Sequence, residues 1–168
     1  MGKVGIIDLG TNTFNLLIAN VHGLNYKVLH KTKIAVKLGE GGIHKGFIAP
    51  EAYKRGVDAL KVHKKTLLNY QIQDYYAVAT SAIRSSDNGT QFVEDVKQQL
   101  GIRINIIDGD KEADLIYNGV KQAVDFNGIP KLIIDIGGGS TEFIIANESQ
   151  IFWKKSYQLG AARVLELF

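Results

Sequence analysis

Two aspartates in this sequence are each followed by a turn of small and polar residues. Asp8 precedes Gly10, Thr11, Asn12 and Thr13, and Asp135 precedes Gly137, Gly138, Gly139, Ser140 and Thr141. Glycines let a backbone approach a ligand closely and turn its N–H groups toward an anion, and the hydroxyls add donors. An aspartate at the end of a strand can hold a hard cation such as Mg²⁺, which neutralises phosphate. The two segments therefore predict a site for a phosphate chain and its metal.

The two segments are copies of one pattern. Residues 5–20 align with residues 132–147, and each copy reads as an apolar strand, a carboxylate, a turn and a second apolar strand. The identical residues are Ile6, Ile7, Asp8, Gly10, Ile18, Ala19 and Asn20 in the first copy and Ile133, Ile134, Asp135, Gly137, Ile145, Ala146 and Asn147 in the second. One copy of the pattern could be explained by a hairpin turn that needs glycine only for its backbone conformation. A turn has no reason to be duplicated with its carboxylate, so the repeat favours function.

Two glutamates are candidates for acid–base chemistry. Glu112 lies in the first turn of a predicted helix, where the helix dipole favours its charge and a nearby phosphate would raise its pKa. These opposed effects could leave it ionised yet basic enough to take a proton from water. Glu142 shares a face of its hairpin with Ser140 and replaces Asn15 of the first copy. Taken alone, Glu112 would more simply be a capping residue and Glu142 a solvated strand residue.

Basic residues offer further phosphate contacts. Arg84 follows a predicted strand, and its planar fork suits bidentate binding of phosphate, although a solvated loop arginine would look the same. Lys31, Lys33 and Lys37 alternate along a strand, where they either extend a basic path for an anion or guard an exposed edge. The remaining basic cluster, on a predicted helix, is interpreted as a solvated face: Lys54, Arg55, Lys61, Lys64 and Lys65.

Strands and helices alternate along the chain, and they must position these residues. Short apolar runs predict strands at 4–8, 14–21, 26–36, 75–79 and 102–107, a hairpin over 132–147, and a strand at 151–156. Helical periodicity predicts helices from Pro50 to about residue 69, at 92–100 before a capping Gly101, from 108–110 onward, and from Gly160 to Phe168. Residues 80–88 are predicted to form a polar loop. The first three strands form an antiparallel meander, which two parallel strands extend.

The amino-acid composition excludes several kinds of site and of protein. The chain has 168 residues, a net charge of +3 and no cysteine, so disulfides and thiolate metal sites are excluded and a reducing compartment is natural. The four histidines lack metal-ligand spacing, and no apolar stretch is long enough to cross a bilayer. We expect a cytoplasmic protein that binds neither a membrane nor a nucleic-acid polymer.

Four ordered motifs resemble those of the exopolyphosphatase and guanosine pentaphosphate phosphohydrolase family, within the actin, hexokinase and heat-shock chaperone ATPase superfamily. Residues 8–14 are similar to the family's D-L-G-S-N-S-F, and residues 135–142 match D-I-G-G-G-S-T-E in full. Residues 79–84 match A-T-x-x-x-R, and residues 107–120 are similar to I-S-G-x-E-E-A-x-L-I-Y-x-G-V. One departure is Lys111, which stands where the family has the first glutamate of its pair.

The resemblance implies an α/β fold built on a ribonuclease-H-like mixed sheet flanked by helices, followed by the start of a second, similar lobe. It implies release of a terminal phosphate from polyphosphate or guanosine pentaphosphate, with Glu112 as the base and Glu142 as a second catalytic carboxylate. Mg²⁺ would be held by Asp135 and Asp8. The phosphate contacts would be Thr11, Asn12, Thr13, Arg84, Gly137, Gly138, Gly139, Ser140 and Thr141.

Two other functions remain open, a small-molecule kinase of the same superfamily and a non-catalytic protein that binds polyphosphate or an alarmone. The predicted lobes are residues 1–128 and residues 129–168. The second starts like the first and stops early, so we expect an N-terminal part of a longer protein, with little activity on its own. A homodimer of the full-length protein is compatible with this reading.

Overall fold

The structure is a computed structural model that describes residues 2–23 and 25–166. Its first sheet has five strands in the order β3-β2-β1-β4-β5. The strands are β1 (Gly2–Leu9), β2 (Thr13–His22), β3 (Asn25–Ala35), β4 (Asp74–Ala79) and β5 (Asn105–Ile106). β1 pairs antiparallel with β2 and parallel with β4, and β2 pairs antiparallel with β3. The predicted α/β class, with a three-strand meander extended by parallel strands, is confirmed.

Three helices pack on this sheet and bury its core: α1 (Pro50–Asn69), α2 (Ser81–Arg84) and α3 (Gly89–Leu100). A short 3-10 helix lies at Ile43–Lys45, and α4 (Gly109–Ala123) follows β5. Proline suits the first turn of a helix, because its missing N–H would be unpaired there anyway, and Pro50 begins α1 as predicted. Gly101 caps α3 at a φ of 67°, which favours glycine. The core joins β1 and β2 to α1 and α3 through residues such as Ile7, Leu16, Leu60 and Phe92.

Two predicted elements differ from the structure. The polar loop expected at residues 80–88 contains α2, because Ala82 and Ile83 turn inward and are buried in the core. An element this short shows no apolar periodicity in the sequence. The strand expected at 102–107 pairs with β4 only at Asn105 and Ile106. Before that point the Tyr75 hydroxyl donates to the Gly101 carbonyl and accepts the Arg103 N–H, groups that strand pairing would otherwise use.

The second sheet is antiparallel, in the order β6-β7-β8, with β6 (Lys131–Ile136), β7 (Thr141–Ala146) and β8 (Ile151–Tyr157). One of its faces packs on α4, where Tyr117, Phe126 and Ile144 share a small core. The last described helix is α5 (Ala161–Leu165), and the predicted extension to residue 168 ends outside the described residues. The predicted lobe boundary near residue 128 stays a prediction. None of the helices in the described ranges combines the length and apolar character needed to cross a membrane.

Candidate active site

The two repeated turns have the same backbone design. In the first, the Gly10 N–H donates to the Thr13 carbonyl at 3.1 Å, and in the second the Gly137 N–H donates to the Ser140 carbonyl at 2.9 Å. The flanking registers also correspond, since Asp8 lies opposite Asn15 and Asp135 lies opposite Glu142. The sequence repeat is therefore a repeat of structure, with a carboxylate at the same place in each hairpin.

The two turns lie against each other, with glycines of the second turn facing side chains of the first. A Cβ atom on Gly138 would lie 3.0 Å from Thr11 Cβ and 3.1 Å from Asn12 Cγ. A Cβ atom on Gly139 would lie 2.6 Å from Thr11 Oγ1. The second turn thus needs glycine at the two positions where the first turn has side chains, because those side chains fill the space between them.

A polar cleft of about 340 Å³ opens where the two turns meet. Ten of the predicted site residues are among those that line it: Asp8, Thr11, Asn12, Thr13, Glu112, Asp135, Gly137, Gly138, Gly139 and Ser140. Three are not: Arg84, Thr141 and Glu142. Six further residues complete the lining: Gly10, Asn15, Lys33, Thr80, Ser81 and Ile136. Lys33 therefore faces the cleft, which favours the interpretation that it extends a basic path over the interpretation that it guards an edge.

Asp8 is partly buried at the base of the cleft. Its Oδ2 accepts a hydrogen bond from Asn15 Nδ2 at 3.0 Å. Burial raises the pKa of Asp8, the Asn15 bond opposes that rise, and the negative charge of Asp135 adds to it. The two aspartates are thus close enough to repel each other, and a cation between them would relieve that repulsion.

Glu112 is held by an arginine. Arg84 NH1 donates to Glu112 Oε2 at 2.9 Å and to the Ile107 carbonyl at 2.8 Å. Burial raises the pKa of Glu112, the bond from Arg84 opposes this, and the charges of Glu142 and Asp8 add to it. The chain positions the pair through α2, which ends at Arg84, and through Asp108, which caps α4 by accepting the Lys111 N–H. The side chain of Lys111 is exposed.

Glu142 and Thr141 are buried in the second hairpin. Glu142 is 1% exposed, and its Oε1 accepts a 2.7 Å hydrogen bond from Ser156 Oγ on β8. The Thr141 hydroxyl donates to the Leu159 carbonyl, so it ties the turn to the segment before α5. Glu142 therefore lies beneath the cleft, where its charge acts on Glu112.

The first turn is supported from outside the cleft. The N–H groups of Val36 and Lys37 both donate to the Asn12 carbonyl, at 3.0 Å and 2.8 Å. Arg55 in turn donates to the Val36 carbonyl at 2.7 Å and to Glu40 at 2.7 Å. Arg55 was expected on a solvated helix face, and its side chain is 39% exposed, but its guanidinium also reaches back to the loop. The sequence carries no signal for that contact.

Comparison with known proteins identifies the group to which this site belongs. The model of the Ppx/GppA phosphatase family matches residues 17–168. The chain belongs to this family.

Relatives of this chain include a solved exopolyphosphatase from Cytophaga hutchinsonii, which is 42% identical with a TM-score of 0.97. The match covers 99% of this chain and 54% of that one. A bifunctional 3-dehydroquinate synthase/phosphatase from Fusobacterium nucleatum is 38% identical over 96% of this chain and 26% of its own length. A guanosine-5'-triphosphate,3'-diphosphate pyrophosphatase from Aliivibrio fischeri is 34% identical, over 95% and 32%. The chain thus spans about half of their length or less.

The donor set of this cleft suits Mg²⁺ bound together with phosphate. Among residues 2–23 and 25–166, no three His, Cys, Asp or Glu side chains form a cluster that could hold a metal alone. Mg²⁺ commonly takes one or two carboxylates and completes its shell with water and substrate phosphates. Asp8 and Asp135, two mutually repelling carboxylates on one cleft, fit that requirement.

Arg163 joins three segments around the cleft. Its guanidinium donates to the Gly139 carbonyl at 2.8 Å, to the Ile43 carbonyl at 3.0 Å and to Ser85 Oγ at 2.5 Å. It therefore ties the second turn to the loop after β3 and to the end of α2. Reasoning from residue type and spacing missed this role, because its partners are mostly backbone carbonyls.

Proposed function

We propose that this Ppx/GppA family chain carries the catalytic cleft of a hydrolase that releases the terminal phosphate of inorganic polyphosphate or guanosine pentaphosphate. One observation carries the proposal: the two glycine turns, two aspartates and Glu112 line a single polar cleft. The relatives support the substrate class, since one is named an exopolyphosphatase and another a guanosine-5'-triphosphate,3'-diphosphate pyrophosphatase.

In this proposal Glu112 is the general base. A base must be ionised and still strong enough to take a proton from water, which favours a pKa above that of an ordinary glutamate. Burial supplies the rise in pKa, and the bond from Arg84 limits it while fixing the direction of the carboxylate. Glu142 helps through its charge, which further raises the pKa of Glu112.

The phosphoryl group would be held by backbone N–H groups of both turns, by Asn12 and Ser140, and by Arg84 at the side of Glu112. These donors stabilise the charge that spreads over the phosphoryl oxygens in a loose transition state. Asp8 and Asp135 would hold Mg²⁺, which supplies charge neutralisation on the phosphates when it is bound. Lys33 adds a positive charge at the wall of the cleft.

The test is phosphate release by the complete protein from long-chain polyphosphate and from guanosine pentaphosphate, each with Mg²⁺ and with EDTA. We expect Mg²⁺-dependent release from at least one substrate, with water as the only acceptor. Release that requires a sugar or another acceptor would identify a kinase instead. Tight binding of either substrate without turnover would identify a non-catalytic binding protein.

A further inference from the structure

Ser81 has a buried hydroxyl that the fold leaves without a partner. It is the first residue of α2, and its side chain is 2% exposed. Among the side chains of the described residues, Ser81 Oγ and His63 Nδ1 are the buried polar atoms that make no hydrogen bond. A buried polar atom without a partner destabilises a protein, because its bond to water is lost and not replaced.

Three other serine hydroxyls in this part of the molecule do have partners. Ser85 Oγ accepts from Arg163, Ser86 Oγ donates to the Ala82 carbonyl at 2.6 Å, and Ser156 Oγ donates to Glu142. The lack of a partner at Ser81 is therefore local and does not reflect a general shortage of acceptors in this part of the molecule.

The position of Ser81 points to the missing partner. Ser81 lines the cleft together with both glycine turns. A Cβ atom built on Gly139 would lie 2.6 Å from Ser81 Oγ, the same distance as from Thr11 Oγ1. The hydroxyl thus lies directly against the second turn, at the boundary where an anion bound between the turns would present its oxygens.

We propose that Ser81 Oγ donates a hydrogen bond to a phosphoryl oxygen of the anion held between the two turns. This inference rests on the proposed function, and it adds a phosphate contact from α2 to the contacts from the turns. The substrate supplies the acceptor that the protein lacks. Without ligand, the unpartnered hydroxyl lowers the stability of the protein, and with ligand its hydrogen bond strengthens binding. Removing it should therefore weaken ligand binding without lowering the melting temperature of the free protein.

The test compares Ser81→Ala with wild type and with Ser86→Ala in the complete protein. Melting temperature is measured without and with methylenediphosphonate, a diphosphate analogue that cannot be hydrolysed, and its Kd by calorimetry. KM is measured with tripolyphosphate. We expect Ser81→Ala to melt no lower than wild type without ligand, and to bind the analogue about tenfold more weakly, since a hydrogen bond to a charged group contributes at least this much. KM should rise in parallel.

Ser86→Ala is the matched control, because Ser86 lies just after α2, close in sequence to Ser81, but its hydroxyl bonds to the Ala82 carbonyl. It should lower the melting temperature slightly and leave the Kd unchanged. An equal Kd for Ser81→Ala and wild type, or a clear loss of stability in Ser81→Ala without ligand, would overturn the role of Ser81. A wild-type protein that neither binds the analogue nor turns over tripolyphosphate would overturn the phosphate cleft itself.

Discussion

The two hairpins share a backbone and differ in what they add to it. β1–β2 and β6–β7 have equivalent turn bonds and equivalent registers. The first turn has Thr11 and Asn12 where the second has Gly138 and Gly139, and these positions lie against each other. A site between two copies of one motif therefore cannot be symmetric, because one copy must give up the side chains that the other inserts.

The carboxylates of the two hairpins differ in the same way. Asn15 donates to Asp8 and so stabilises its charge. The equivalent position opposite Asp135 is Glu142, which receives its own donor from Ser156 and acts on Glu112. The first hairpin thus offers a neutral partner to its aspartate, whereas the second brings additional negative charge. The difference predicts that substitutions at equivalent positions have unequal effects.

Among the substitutions that compare the two hairpins, the largest effect is expected from filling the gap in the second turn. Gly139→Ala places a Cβ atom 2.6 Å from two hydroxyl oxygens, those of Thr11 and Ser81, so the turns must separate. A shift of that kind in a phosphate site should lower kcat/KM more than about 10²-fold. Steady-state phosphate release measures it.

Gly119→Ala is the control, since a Cβ atom there meets no atom within 4 Å and the residue lies inside α4. It should keep full turnover and stabilise the protein by about 0.5–1 kcal/mol, because alanine is the better helix former. Equal turnover in both variants would show that the contact between the turns is unimportant.

Removing the partner of Glu112 comes next. Arg84→Met deletes the bond that opposes the rise in the pKa of Glu112. The base should then need a higher pH to ionise, so the acid limb of the kcat profile should move to higher pH. At neutral pH we expect about a 30-fold loss in kcat/KM, the value of one charged hydrogen bond. If the acid limb lay at the same pH in Arg84→Met as in wild type, Arg84 would not control the pKa of Glu112.

Two substitutions with smaller effects should show directly whether the two hairpins have different roles. Ser156→Ala removes the donor to Glu142 and should lower kcat about fivefold, within the range for a single hydrogen bond. Asn15→Ala removes the donor to Asp8, raises the pKa of Asp8 further and should weaken Mg²⁺ activation at low pH more than it lowers kcat at saturating metal. Identical responses in the two variants would mean that the hairpins are not specialised.

The smallest effect is expected at His63, which packs against the first hairpin, and it changes only the free energy of unfolding. His63 on α1 is fully buried, and its Nε2 lies 3.3 Å from the Phe14 carbonyl on β2. Burial lowers the pKa of His63, so below about pH 6.5 the unfolded chain binds a proton that the native chain does not. The free energy of unfolding should therefore fall by about 1 kcal/mol per pH unit on acidification.

Urea unfolding of wild type and His63→Gln between pH 7 and pH 5 measures this slope. The variant should lose most of it. His22, which is exposed, provides the control substitution His22→Gln, and its slope should match that of wild type. If His63→Gln kept the wild-type slope, groups other than His63 would cause the fall in the free energy of unfolding at low pH.

The sequence predicted the parts of this structure that follow from local pattern. The repeat, Pro50, Gly101 and the start of a helix at residues 108–110 all depend on residue type and short spacing, and the turns and the family followed from them. It missed α2, whose four residues are too few for periodicity. It also missed Arg55 and Arg163, whose partners are mainly backbone carbonyls of distant segments. Contacts of that kind depend on the final packing and do not follow from residue type and short spacing.

The central claim is that water attacks a phosphoanhydride held between the two turns and that Glu112 takes its proton. Glu112→Gln keeps the size and the contact with Arg84 while removing the base, so it tests this claim most directly. The measurement is phosphate release from tripolyphosphate together with the Kd for methylenediphosphonate. We predict a loss of kcat of about 10²–10⁴-fold, the contribution of a general base, with binding within about threefold of wild type. Unchanged turnover in Glu112→Gln would contradict the account.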